Sequence, residues 1–254
     1  VTKINSYAFQ ECSALVGIEI PDSVTEIGIW AFGNCSELVE VKLSKHLKKM
    51  EYCAFGNCNK LTEVEIPKSL EECTDDDLFN DRGSDCYLSG PFYNCQELKK
   101  ITFETGTTRI AKNLFRKCYG IEEIEIPDTV TSIDSYAFEN CKNLKDVKIG
   151  EGVVLIGNAA FFGCDSIKNV KIPDSVTKIN SYAFQECSAL VGIEIPDSVT
   201  EIEAWAFGNC SELAEVKLSK HLKKMEYCVF GNCNKLTEVE IPKSLEECTD
   251  DDLF

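Results

Sequence analysis

Histidine, methionine and tryptophan occur only twice each in 254 residues, and proline seven times. Two histidines leave little material for imidazole catalysis or zinc ligation. Basic side chains are scarce too: 26 Lys and Arg stand against 43 Asp and Glu, a formal charge of −17. Such a balance disfavours phosphate-tracking nucleic-acid binding and adsorption to anionic membranes. No apolar run approaches the roughly 18 residues of a membrane span, and Val1-Thr2-Lys3-Ile4 lacks the basic-then-apolar opening of a targeting segment. In contrast, 44% of the residues are apolar and 15 are cysteine, a globular composition able to bury a large core.

A fixed period organises those residues. Phe followed three positions later by Cys occurs ten times, from Phe9/Cys12 to Phe230/Cys233, and eight of the nine intervals are 23 residues. The exception, Phe55 to Phe92, is 37, one period plus an insertion of 14. A longer period overlies the first: residues 1–79 recur as 176–254 with four differences, Gly28/Glu203, Ile29/Ala204, Val39/Ala214 and Ala54/Val229. This marks a recent duplication, a designed array, or a window on a longer protein with a 175-residue unit.

Within one period, Leu15-x-x-Ile18-x-Ile20 alternates as a short strand that Pro21 ends, since proline has no amide to donate. Asp22 to Ile27 supplies a turn and a second extended piece, and Trp30 to Cys35 is predicted to form one or two helical turns closed at Gly and Asn. Leu15, Leu38, Leu61 and their successors form one apolar column, Ile4, Ile27, Ile110 and theirs another. One 23-residue unit cannot cover its own apolar face, so neighbours must bury it, as in a repeat solenoid. The expectation is a single domain over 1–254 of about eleven rungs, with an acidic insertion over 74–90.

The unit Leu-x-x-Ile-x-Ile-Pro-x-x-Val-x-x-Ile-x-x-x-Ala-Phe-x-x-Cys resembles the BspA-like leucine-rich repeat over nearly the whole chain, with Ser44, Glu104, Gly150 and Ser219 replacing the proline. The resemblance implies a curved leucine-rich-repeat solenoid with a parallel sheet on its concave side. It further implies an extracellular or cell-surface protein that binds or adheres to a protein partner, without catalysis or cofactor. No Gly-rich phosphate loop follows a strand, and no nucleophile has a base at motif spacing, so the residues themselves supply no enzymatic machinery.

Ten cysteines share one phase of the repeat, where equivalent side chains point the same way rather than at each other. A buried thiol ladder donating to loop carbonyls is expected. Lone thiols 23 residues apart offer no chelating pair for zinc. Cys86 lies in the insertion, 13 residues after Cys73; a Cys73–Cys86 bridge would stabilise by about 3 kcal/mol through loop entropy, with Cys53 a competing partner. Asp75, Asp77, Asp81 and Asp85 in the insertion are weak calcium candidates, because the Asp-Asp-Asp run departs from an EF-hand pattern; a solvated acidic loop or a protein contact are the other readings.

On the strand, the outward residue between two core positions runs Glu19, Lys42, Glu65, Thr102, Glu125, Lys148, Lys171, Glu194, Lys217, Glu240. These charges either pair across strands or present a surface to a protein partner. Tyr7, Trp30, Tyr52, Tyr136, Tyr182, Trp205 and Tyr227 cluster just ahead of the repeat Phe, as packing against the next rung or as an assembly surface. Neither end shows a polar cap, so head-to-tail self-association into a fibre is the alternative to a binding module.

Overall fold

The structure, a computed structural model, describes residues 1–73 and 89–248. Each period makes two short extended segments and one tight turn, and each piece lies over its counterpart one period on. Among the described residues the strands alternate between two columns. The first holds β2 (Gly17–Glu19), β4 (Glu40–Lys42), β6 (Glu63–Ile66), β7 (Lys100–Phe103), β9 (Glu123–Glu125), β11 (Asp146–Lys148), β13 (Asn169–Val170), β15 (Gly192–Glu194) and β17 (Glu215–Lys217). The second holds β1 (Lys3–Ile4), β3 (Glu26–Ile27), β5 (Lys49–Met50), β8 (Arg109–Ile110), β10 (Ser132–Ile133), β12 (Leu155–Ile156), β14 (Lys178–Ile179), β16 (Glu201–Ile202), β18 (Lys224–Met225) and β19 (Glu247–Cys248). All pairings are parallel, with like positions in register, as in Ile18↔Val41, Val147↔Val170 and Ile179↔Ile202.

The insertion leaves the first column undisturbed: β6 pairs β7 over four residues, Glu63↔Lys100 to Ile66↔Phe103. The extra residues leave the rung after the second-column position at Cys73 and rejoin it at Ser89, both fully buried. Asp75, Asp77, Asp81, Asp85 and Cys86 lie outside the described residues.

The segment predicted as helical turns is not helical. In the rung of Phe32, Ala31, Gly33 and Cys35 donate their amides locally, to Gly28, Trp30 and Phe32 carbonyls at 3.2, 2.9 and 3.4 Å. Trp30, Phe32 and Asn34 donate instead to the next rung, to Tyr52, Ala54 and Gly56 at 3.1, 2.8 and 2.8 Å. The backbone is thus a run of β-turns whose alternate amides stitch rungs together, and Trp30 (φ 52°) and Asn34 (φ 60°) take the positive φ that the third residue of a type II turn requires. Stacking distance decides the matter. Successive Phe rings sit 5.1–5.8 Å apart, whereas an α-helix is about 10 Å across and spends its amides internally.

Between the columns lies one continuous apolar core, with Ile27, Leu38, Phe32, Ile133, Leu144 and Phe138 fully buried. The ten repeat phenylalanines form an unbroken stack, most pairs within 13° of parallel. Beside it runs the thiol ladder. Cys35, Cys58, Cys95, Cys141, Cys164, Cys187, Cys210 and Cys233 each donate to the carbonyl of the preceding rung's Phe at 3.1–3.3 Å. These turn carbonyls face the core and need a donor; the small apolar thiol provides one without importing a strongly polar group. The proline replacements are accommodated individually. Ser44 and Ser219 are buried and accept the amides of His46 and His221 at 3.2 and 3.1 Å, and at Gly150 a β-carbon would stand 2.4 Å from the Pro127 carbonyl.

Candidate binding surface

Strand alternation sends two residues of each first-column strand outward and one into the core. This produces two outward columns on one face. One contains the sequence-predicted residues, and most of these neutralise each other: Lys42 donates to Glu19 at 2.5 Å, Lys148 pairs with Glu125 and Lys217 with Glu194. Lys171 turns instead to Glu151, at 2.8 Å. Glu65 stands in register with Thr102, and Glu240 is exposed beyond the last strand of this column. The glutamate partners hold the Lys42, Lys148 and Lys217 ammonium groups above their usual range, first through the side-chain hydrogen bond. All of these groups are solvent-exposed, so water and salt screen each pair and it adds little to stability.

The other outward column reads Gly17, Glu40, Glu63, Lys100, Glu123, Asp146, Asn169, Gly192, Glu215. Five acids meet one lysine, which pairs with Glu63 at 2.7 Å. Glu40 stands in register with Glu63, and Glu123 with Asp146. Like charges directly opposite on adjacent strands are unfavourable. This column goes unread in the sequence above, although the second outward position of the same two-residue alternation marks it. The face varies from rung to rung and forms an open trough over β2, β4, β6 and β7, lined by Glu19, Lys42, Glu65 and Lys100.

Of the residues suggested for a bridge or a cation, only Cys73 and Cys53 lie among the described residues. Cys73 is fully buried, and burial pushes its thiol well above the usual range. Among the described residues no group of three or more His, Cys, Asp or Glu side chains is placed to hold a metal ion, and no helix is long and apolar enough to cross a membrane. Trp30 packs on the next rung: a β-carbon on Gly56 would lie 3.0 Å from its Cζ3.

Stacked parallel rungs, an Ile/Leu core and a side-chain ladder on the turn carbonyls define a leucine-rich-repeat solenoid. More narrowly, the chain belongs to the BspA-type leucine-rich repeat family, whose model matches residues 1–83, 89–191 and 136–253. Among solved structures it is similar to a leucine-rich repeat protein from Bacteroides ovatus (24% identity, TM-score 0.61, covering 98% of this chain and 72% of that one). It is also similar to the pneumococcal vaccine antigen PcpA (21%, 0.53, covering 96% and 65%) and to a leucine-rich cell surface protein from Faecalibacterium prausnitzii (24%, 0.46, covering 93% and 82%). No curated protein sequence matches.

Proposed function

We propose that the chain is a non-enzymatic protein-binding module of the extracellular or cell-surface type, and that it docks a protein partner on the outward face of the first sheet. The observation that carries this is the acid-rich column: Glu40, Glu123, Asp146 and Glu215 form no ion pair among the described residues, and two like-charge pairs stand in register. A surface selected only for solubility would alternate its charges, as the neighbouring column does. The repulsion left on this face, between Glu123 and Asp146 above all, is relieved by a partner that presents cations. Glu19, Lys42, Glu65, Glu125, Lys148, Lys171, Glu194, Lys217 and Glu240 then act as the polar rim that sets register. Rung-to-rung variation along the column suits a binding module better than a fibre, whose contacts would repeat.

The test is isothermal titration with a lysine-rich peptide of about ten residues as charge probe. Replacing Glu40, Glu123, Asp146 and Glu215 by glutamine is expected to weaken binding at least tenfold, and 0.5 M salt to abolish it. Four matched changes on the turn side, at Glu11, Glu37, Glu186 and Glu212, are the control. Equal losses from both sets would reduce the interaction to net charge and sink the assignment to this face.

A further inference from the structure

The turn side carries a feature that the sheet-face reading does not use. Tyr7, Trp30 and Tyr52 recur 175 positions on as Tyr182, Trp205 and Tyr227. Each indole lies on glycine: a β-carbon on Gly33 would stand 2.0 Å from Trp30 Cε3, and one on Gly208 2.4 Å from Trp205 Cε3. The tyrosines stay outside. Tyr7 is 51% exposed, Tyr182 38% and Tyr227 42%. Tyr7 and Tyr182 also adopt φ of 65° and 62°, where Asn or Gly is comfortable and an aromatic residue is strained. Three of the four differences between the copies fall beside these rings, at 28/203, 29/204 and 54/229, yet all six aromatics and their glycines are unchanged.

We propose that the two patches dock a second copy of this chain, with two solenoids side by side and antiparallel, so that each Tyr7–Trp30–Tyr52 patch meets a Tyr182–Trp205–Tyr227 patch. Spacing favours this occupant. Seven rung steps of 5.1–5.8 Å separate the patches, and a second copy necessarily carries the same interval, so one two-fold axis closes both contacts together. Charge favours it as well. The outward residues beside the patches, Lys3, Glu26, Lys49 and Lys178, Glu201, Lys224, alternate in sign, and Lys3–Glu26, Lys178–Glu201 and Lys224–Glu201 pair at 2.9, 3.3 and 3.3 Å. These pairs limit the repulsion between two chains of charge −17 along this edge. Area sets the strength. At roughly 200 Å² per ring and these exposures, the six aromatics offer on the order of 400 Å² per chain. That makes about 800 Å² for the pair, below the ~1,200–2,000 Å² of a stable complex. A single pair of chains therefore associates weakly, and each further 175-residue unit would add to the contact.

Sedimentation velocity over a concentration series, with tryptophan emission recorded alongside, tests this, since Trp30 and Trp205 are the only indoles and sit one in each patch. The expected result is a dimer that grows in at high micromolar concentration with a blue shift in emission, and that strengthens with sodium chloride because salt screens the net repulsion. Tyr7→Asn/Tyr182→Asn removes two exposed rings and places at both turns a residue that suits their φ; dimerisation should weaken at least tenfold with the β-sheet circular dichroism unchanged. A monomer with concentration-independent emission, or a dimer indifferent to the tyrosine changes, would overturn the proposal. So would a blue shift induced in the monomer by a neutral soluble polysaccharide, which would assign the rings to a glycan.

Discussion

A thiol and a phenyl ring that recur from rung to rung set the chemistry of the interior at the residue scale. Burial is the first cause that pushes the thiols of Cys58 and Cys118 up to about 12, from an ordinary value of 9.0, because the low-dielectric core disfavours thiolate. A thiol reagent at pH 8 should therefore label the exposed Cys12, Cys228 and Cys248 rapidly and the ladder cysteines only on unfolding; fast labelling of more than a few further thiols would contradict the ladder. Because the folded values lie above the unfolded ones, the native state holds its thiol protons more tightly. Stability should be flat below about pH 8.5, then fall as pH rises from 9 toward 12, with the denaturant midpoint as the readout. The rings act through packing. Phe138→Ala opens a gap in a stack whose neighbours stand 5.5 and 5.2 Å away, and should cost about 3–5 kcal/mol by chemical denaturation.

The turn is where the elements of this solenoid were hardest to anticipate. Gly33 shows how tightly it is built: Gly33→Ala would drive a methyl into the Trp30 ring, and should cost about 1–3 kcal/mol and red-shift tryptophan emission as the indole is lifted off its shelf. The strands were legible, because Leu15-x-x-Ile18-x-Ile20 carries the two-residue alternation in full, and a phase shared by ten cysteines already argued for a ladder over bridges. The turn misled because Ala-Phe-x-x-Cys has the three-residue spacing of a helical face. What excludes a helix is the rung spacing, a property of neighbouring repeats that no single repeat contains. The binding face was half legible for a related reason. One outward column was read and the other passed over, and only the register showed Glu40 beside Glu63 and Glu123 beside Asp146.

For the whole molecule, a solenoid is only as cooperative as its weakest interface between rungs, and four features place that interface beside the insertion. Phe92 and Phe115 make the least parallel and most widely spaced pair of the stack, 22° and 5.8 Å. Cys118 does not reach the Phe92 carbonyl; its Sγ sits 3.9 Å from the Cys95 carbonyl instead. The first-column ladder is interrupted between β7 and β9. Asn113, buried on the same rung, has no hydrogen-bond partner for its Oδ1 among the described residues, a desolvation cost of about 1–3 kcal/mol. The ladder also breaks between β13 and β15, but there the stack is sound, with Phe161 and Phe184 at 5.2 Å and 7° and Cys187 bonded to the Phe161 carbonyl at 3.3 Å. Two interruptions of the same sheet should therefore behave differently. Native-state hydrogen exchange is expected to show an opening confined to the 98–121 region at lower free energy than global unfolding, while 167–190 exchanges with the rest of the core. Asn113→Ala, which removes the orphaned carbonyl but gives up the residue most at ease at a φ of 60°, separates the two contributions. If desolvation dominates, protection of 98–121 rises; if the turn conformation dominates, it falls. Uniform protection across both regions would show that neither the tilted rings nor the displaced thiol weakens the stack.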